Sequence, residues 1–190
     1  MKMKLTAMMA AILLSGGVLL VVTVVPSCHK SSGGGGGKTL YDSLGGTVLV
    51  TDPLNFGQTV EQGYLTIRTI VDTTLLTIQV DTLINNYFSI MVTEDTLHQA
   101  PTEFDKLRLN ISNFLAAAAG SEHYTYSGPG LFSAHNPDSN ANMPKPVDSA
   151  SFNQFAYDLG RGAADYKLSA QLISQLGHLL YRYEGQVVQR

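Results

Sequence analysis

Cysteine is almost absent. One residue, Cys28, stands among 190, so no disulfide can form within the chain, and stability has to come from a core or from a bound cofactor. No Cys or His pair has zinc-binding spacing. Serine, histidine and aspartate all occur, but no serine lies in the glycine pattern of a nucleophile elbow. Basic runs are missing as well: from Cys28 onward, all but Lys2 and Lys4 of the 12 Lys and Arg face 15 Asp and Glu, which argues against nucleic acid as a partner. The glycine run Gly33 to Gly37 follows no strand, so it is a linker rather than a phosphate loop. No internal repeat is visible.

What is present begins with Met1-Lys-Met-Lys4, a positive segment, followed by an apolar run from Leu5 to Val25 and then Pro26-Ser27-Cys28. This is the plan of a bacterial secretory signal. The run is also long enough to span a bilayer, so an uncleaved transmembrane anchor is the other reading. The placement of the lone cysteine favours a lipoprotein signal: residues 1–27 are removed, Cys28 is acylated, and the product is held on a membrane of the cell envelope. Residues 28–38 contain no apolar side chain to bury and read as a flexible tether. The cysteine, polar, glycine pattern resembles lipoproteins of the Bacteroidetes. Residues 39–190 then form one domain, long enough to bury a core of its own.

Within that domain the later segments are helical by pattern. Pro101-Thr-Glu103 suits a helix start. Phe104, Leu107, Ile111, Phe114, Leu115 and Ala118 make one apolar face, and Gly120 stops it. Asp148 or Ser149 caps a helix whose face is Phe152, Phe155, Ala156, Leu159 and Ala163. A last helix, from about Ser169 to Val188, carries an apolar stripe repeating at three and four from Leu172 to Val187. The stretch from Val60 to Val80 is ambiguous: its Val, Ile and Thr content favours strands, whereas its apolar residues do not alternate strictly and several fall at helical spacing. Thr51 to Gly57 reads as a loop. The expected fold class is all-α.

The sharpest local feature is Tyr126-Ser-Gly-Pro-Gly-Leu-Phe-Ser-Ala-His135-Asn-Pro137, a glycine-rich turn leading into one helical turn that Pro137 ends. Preceded by Phe114-Leu-Ala-Ala-Ala-Ala-Gly120 and followed by the aromatic helix opening at Phe152, it resembles the E-to-F region of group I truncated haemoglobins. Leu40-Tyr-Asp-Ser-Leu-Gly-Gly46 resembles the family's opening turn. Val71-Asp72 through Asp81-Thr-Leu-Ile-Asn-Asn-Tyr87-Phe88 resembles its B and C helices. The resemblance implies a helical sandwich holding haem b, with His135 as the proximal iron ligand. It also implies Phe88 stacked on the haem face, with Leu107, Ile111, Leu115 and Phe155 as further walls. Tyr126, Lys106 and Arg108 are candidates to meet the propionates. The ligand would be a diatomic gas, O2, NO or CO. Nitric oxide oxidation and electron transfer are family activities, and no residue here specifies a redox partner.

The chain departs from the family in three places. Insertions occupy about Thr47 to Ile70, before the B helix, and about Ser89 to Asp105, before the E helix. On the distal side, Leu75 takes the position of the usual B-helix tyrosine, and Leu107 and Ile111 take the E-helix positions that point at ligand. None of the three donates a hydrogen bond. His98, in the second insertion, is a candidate sixth ligand or distal donor; His123 and His178 read as structural or exposed. The alternative reading is a globin fold kept without haem, as a structural or interaction module on the envelope.

Overall fold

The computed structural model describes residues 37–88 and 103–189, and the folded unit is Gly37–Arg190. The signal segment, Cys28, most of the tether and the insertion carrying His98 lie outside the described residues. The chain enters through a one-turn helix, α1 (Leu40–Ser43), fixed by a reciprocal cap. The Thr39 hydroxyl accepts from the Asp42 amide at 3.0 Å, and the Asp42 carboxylate accepts from the Thr39 amide at 2.9 Å.

The first insertion folds as an antiparallel hairpin of β1 (Leu49–Thr51) and β2 (Thr59–Glu61), with Val50 opposite Val60. The loop expected from Thr51 to Gly57 is its turn; the flanking strands were not foreseen. The turn is rigidly satisfied. Asp52 accepts from the Leu54 amide at 2.9 Å and the Asn55 side chain at 2.8 Å, and its own amide donates to the Gln58 carbonyl at 2.9 Å. The same carboxylate takes both guanidinium nitrogens of Arg68, at 2.6 and 3.2 Å, which pins the hairpin to the next helix.

That helix, α2 (Gln62–Val80), resolves the ambiguous stretch against its β propensity. Its threonines explain how. Thr69, Thr73, Thr74 and Thr77 each donate a hydroxyl hydrogen to the carbonyl four residues earlier, at 2.7 to 3.1 Å. The hydroxyls are thus satisfied within the helix, while Ile67, Ile70, Val71, Leu75 and Ile78 form a fully buried face. A 3₁₀ turn (Asn85–Phe88) follows.

Helix α3 (Glu103–Ala119) ends at Gly120, where φ is +98° and the Ser121 amide closes back on the Ala116 carbonyl at 3.0 Å. After the single turn α4 (Leu131–Ala134), helix α5 (Ser149–Asp165) starts at Asp148, whose carboxylate accepts from the Ser151 amide at 2.7 Å. It packs chiefly on α2. At their crossing a Cβ on Gly162 would stand 2.6 Å from Thr74 Oγ1 and 3.0 Å from the Ile70 carbonyl oxygen, so only glycine allows this approach.

The last expected helix is two. Helix α6 (Ala170–Tyr181) stops, and a one-turn α7 (Glu184–Val187) follows after Arg182 and Tyr183. The break is driven by packing: it swings Tyr183 edge-on against Phe114, ring centroids 4.8 Å apart, and carries Val187 to the same side. The described residues make an all-α fold with one small hairpin; α2, α3, α5 and α6 enclose the core.

Candidate functional site

A cavity of about 470 Å³ opens between α3, α4, α5 and the α6–α7 break. That size falls in the range of small-molecule and cofactor sites. Its closed end is apolar and buried: Ile84, Leu115, Val147, Phe152 and Leu180. Its mouth is polar, where Lys106, Ser133, Ser139 and Asn142 meet solvent. Phe88 from the 3₁₀ turn and Phe155 from α5 stand on the wall with parallel rings, centroids 6.2 Å apart. From α3 come Leu107, Ile111 and Leu115, at the spacing that puts them on one helical face.

His135 joins the lining from α4. Helix α4 begins after Pro129-Gly130 and ends before Pro137, so His135 is its C-cap. The Leu131 carbonyl, one turn back, accepts both the His135 amide at 3.2 Å and the ring Nδ1–H at 2.7 Å. Committing Nδ1 as donor fixes the tautomer and leaves Nε2 with its lone pair. Burial holds the imidazole pKa below its ordinary value, with the Leu131 carbonyl opposing in part. The ring is therefore neutral at physiological pH, the state that ligates a metal. The loop beyond is braced by Asn140, whose side chain donates to the Ala134 carbonyl at 2.7 Å.

Of the residues expected from sequence, Phe88, Leu107, Ile111, Leu115, Tyr126, His135 and Phe155 all line this one cavity. Tyr126 lies edge-on to Phe114, centroids 5.6 Å apart, and donates its hydroxyl to the Pro129 carbonyl at 2.6 Å. Leu75 is not with them; it is 1% exposed, sealed in the core face of α2. Arg108 is also elsewhere, between Asp105 at 3.1 Å and Asp72 at 3.8 Å, whereas Lys106 is at the mouth. His98 and Cys28 lie outside the described residues. His178 is exposed on α6. His123 is not part of the cavity lining and binds the buried Glu61 carboxylate through Nδ1; Glu61 also accepts the Tyr41 hydroxyl at 2.6 Å, and the cluster joins α1, β2 and the turn after α3.

Sequence reasoning missed several wall residues. Asn110 lies one turn from Leu107 on the same face of α3, and helical spacing was a sufficient signal for it. Tyr87, whose hydroxyl meets the Pro146 carbonyl and Ser151, and Tyr183 and Val187 of the broken last helix, also line the cavity. No sequence signal marked the break.

Among the described residues no group of three or more His, Cys, Asp or Glu is placed to hold a metal ion. A single axial nitrogen above an apolar slot is a different arrangement, and it is the donor set that a haem requires. The slot, the stacked phenyl rings and the polar mouth fit such a group.

The fold is that of the truncated globins. It is similar to two variants of the truncated haemoglobin of Tetrahymena pyriformis, both in the Fe(III) form, one with a tyrosine changed to phenylalanine and one with a glutamine changed to glutamate. Each covers 80% of this chain and 99% of its own, with a TM-score of 0.56 and 13% identity. No protein-family model matches the chain, and no curated protein matches it.

Proposed function

We propose that this protein binds haem b in the 470 Å³ cavity with His135 as the axial ligand. The observation that carries this reading is the His135 ring: its Nδ1 is spent on Leu131, and its remaining nitrogen belongs to a side chain on the wall of an apolar slot. Bound haem would supply an iron that takes a diatomic gas reversibly. The chain's own residues do the rest. Phe88 and Phe155 would pack against the macrocycle and exclude water. Lys106, at the mouth, would meet a propionate, whereas Tyr126, whose hydroxyl is spent on the Pro129 carbonyl, would contribute its ring to the wall. Leu107 and Ile111 offer no hydrogen bond to a gas, and Asn110 on the same face of α3 is the side chain there that could donate one to bound O2.

The tether reading belongs to the same proposal. Acylation of Cys28 would hold the domain on a membrane of the cell envelope. Among the described residues no helix is long and apolar enough to cross a membrane, which leaves anchoring to the segment upstream.

The test is spectroscopic. The full chain is loaded with haemin, and ferric, ferrous and CO-bound spectra are recorded beside those of His135→Ala. A sharp Soret band that shifts with CO and is lost or grossly altered in the variant is expected. A folded helical protein that takes up no haem would overturn the reading and leave a haem-free interaction module.

A further inference from the structure

The inserted hairpin presents a surface that the cavity does not use. Its turn exposes Leu54 and Phe56 at 54% and 104%, and Val48 and Leu49 at its base are more than half exposed. Exposed apolar side chains occur elsewhere too, Leu76, Val80 and Leu83 among them, but here four lie within nine residues and Phe56 is wholly exposed. Charge is missing there too. From Thr47 to Val60 the only ionisable residue is Asp52, and it is buried and neutralised by Arg68. Nor is the turn a loose end. Asp52 satisfies the Leu54 amide and the Asn55 side chain, so the Leu54 and Phe56 side chains are held out on a stiff, uncharged, internally hydrogen-bonded tip. Apolar side chains on an uncharged turn suit the interfacial zone of a bilayer, where the side chains reach the acyl boundary and the backbone stays hydrated among the headgroups.

The hairpin is also the first element after the tether. Only α1 and Gly45-Gly46 separate it from Gly37, and its base is tied to α2 by the Gly63 amide donating to the Gly46 carbonyl at 3.0 Å. Ten residues run from Cys28 to Gly37, at most about 35 Å of chain, so the hairpin follows the acylation site closely in sequence. We propose that the hairpin tip, residues 53–56, inserts into the bilayer that carries the N-terminal anchor, with Leu54 and Phe56 as the inserted side chains. This rests on the tether reading and not on haem. The domain would then be held by two points, anchor and wedge, in one orientation. The chain's excess of acid over base means that insertion is apolar rather than electrostatic, so it should be insensitive to salt.

The chain contains no tryptophan, so Phe56→Trp introduces a single reporter. The full-length variant is reconstituted in phosphatidylcholine vesicles with and without brominated acyl chains. Tyr157→Trp, at an exposed position of α5, serves as the control. The expected result is about twofold quenching by brominated lipid at position 56, protection from iodide and no dependence on salt. The position 157 reporter should be blind to brominated lipid. Adding Leu54→Glu to the Phe56→Trp chain should return the reporter to water while far-UV dichroism stays unchanged. Flotation of the vesicles reads the tether separately. If the chain floats but the indole at 56 stays open to iodide and untouched by bromine, the tether stands and the wedge is wrong. A concentration-dependent blue shift without bromine quenching would mean that the tip meets a second copy of the chain, and would equally overturn it. A chain that does not float removes the tether and the wedge together.

Discussion

Asp158 offers the strictest test of the packing described above. It sits in α5, 1% exposed, with Oδ2 lacking a hydrogen-bond partner. Beside it is Asp81, already accepting from Gln154 at 2.6 Å and from the Leu83 amide at 2.8 Å. Burial is the main cause that raises the Asp158 pKa from 3.8 to about 6; the Asp81 charge and hydrogen bond add to it, and Arg161 offsets only part. The folded protein therefore keeps a proton on Asp158 that the unfolded chain gives up. Below pH 4 both states hold it and there is no penalty. Between about pH 4 and 6 the unfolded state ionises first and stability falls as pH rises. Above 6 the loss is complete. At about 1.4 kcal/mol per pH unit, moving the carboxyl from 3.8 to about 6 costs roughly 3 kcal/mol. Asp158→Asn keeps the volume and supplies an amide donor to Asp81, so it removes this penalty. In urea unfolding of the haem-free protein, the variant should match the parent near pH 4 and exceed it by roughly 2–3 kcal/mol at pH 8, a midpoint difference on the order of 1 M. A difference that does not change between pH 4 and 8 would refute the argument, because simple improvement of packing has no pH dependence.

Other outcomes follow from single contacts. Gly162→Ala places a Cβ 2.6 Å from Thr74 Oγ1 and should destabilise by about 1–3 kcal/mol, read by thermal unfolding. Asp52→Asn leaves Arg68 half-buried without its partner; the loss should be on the order of 3 kcal/mol at pH 7. The Arg68 hydrogen bonds hold the Asp52 carboxyl far below the usual carboxylate range, so the advantage of the parent over this variant should be present above about pH 4 and fade as Asp52 protonates at strongly acid pH. Hydrogen bonding to Glu61 raises the His123 pKa. In Glu61→Gln its imidazole NMR titration should move to lower pH, and an unchanged midpoint would mean that the pair does not persist in solution.

The later helices were legible because their signals are local. Gly120, Asp148 and the apolar stripes of α3 and α5 each specify a stop, a cap or a face without reference to anything distant. The His135 turn was legible for the same reason: two prolines and two glycines bound a single helical turn, and the ring nitrogen finds its carbonyl within four residues. What could not be read depends on long-range contacts. Helix α2 overrides the β propensity of its threonines because its buried face packs against α3 and α5. The break before α7 answers to Phe114, some seventy residues upstream in sequence. Leu75 was given a place in the pocket by register alone, and register does not say which way a buried helix face is turned.

The broken last helix also bears on the order in which the protein can be made. The cavity wall begins with Ile84 and is completed by Tyr183 and Val187. The slot therefore has no full lining until a hundred further residues have emerged from the ribosome. Until then Phe88, Leu107 and Phe155 form an open apolar trough, with the His135 ring already fixed by its own turn. The proposed haem would therefore find its complete slot late, and a chaperone that shields apolar surface has the same trough to cover until α7 folds down.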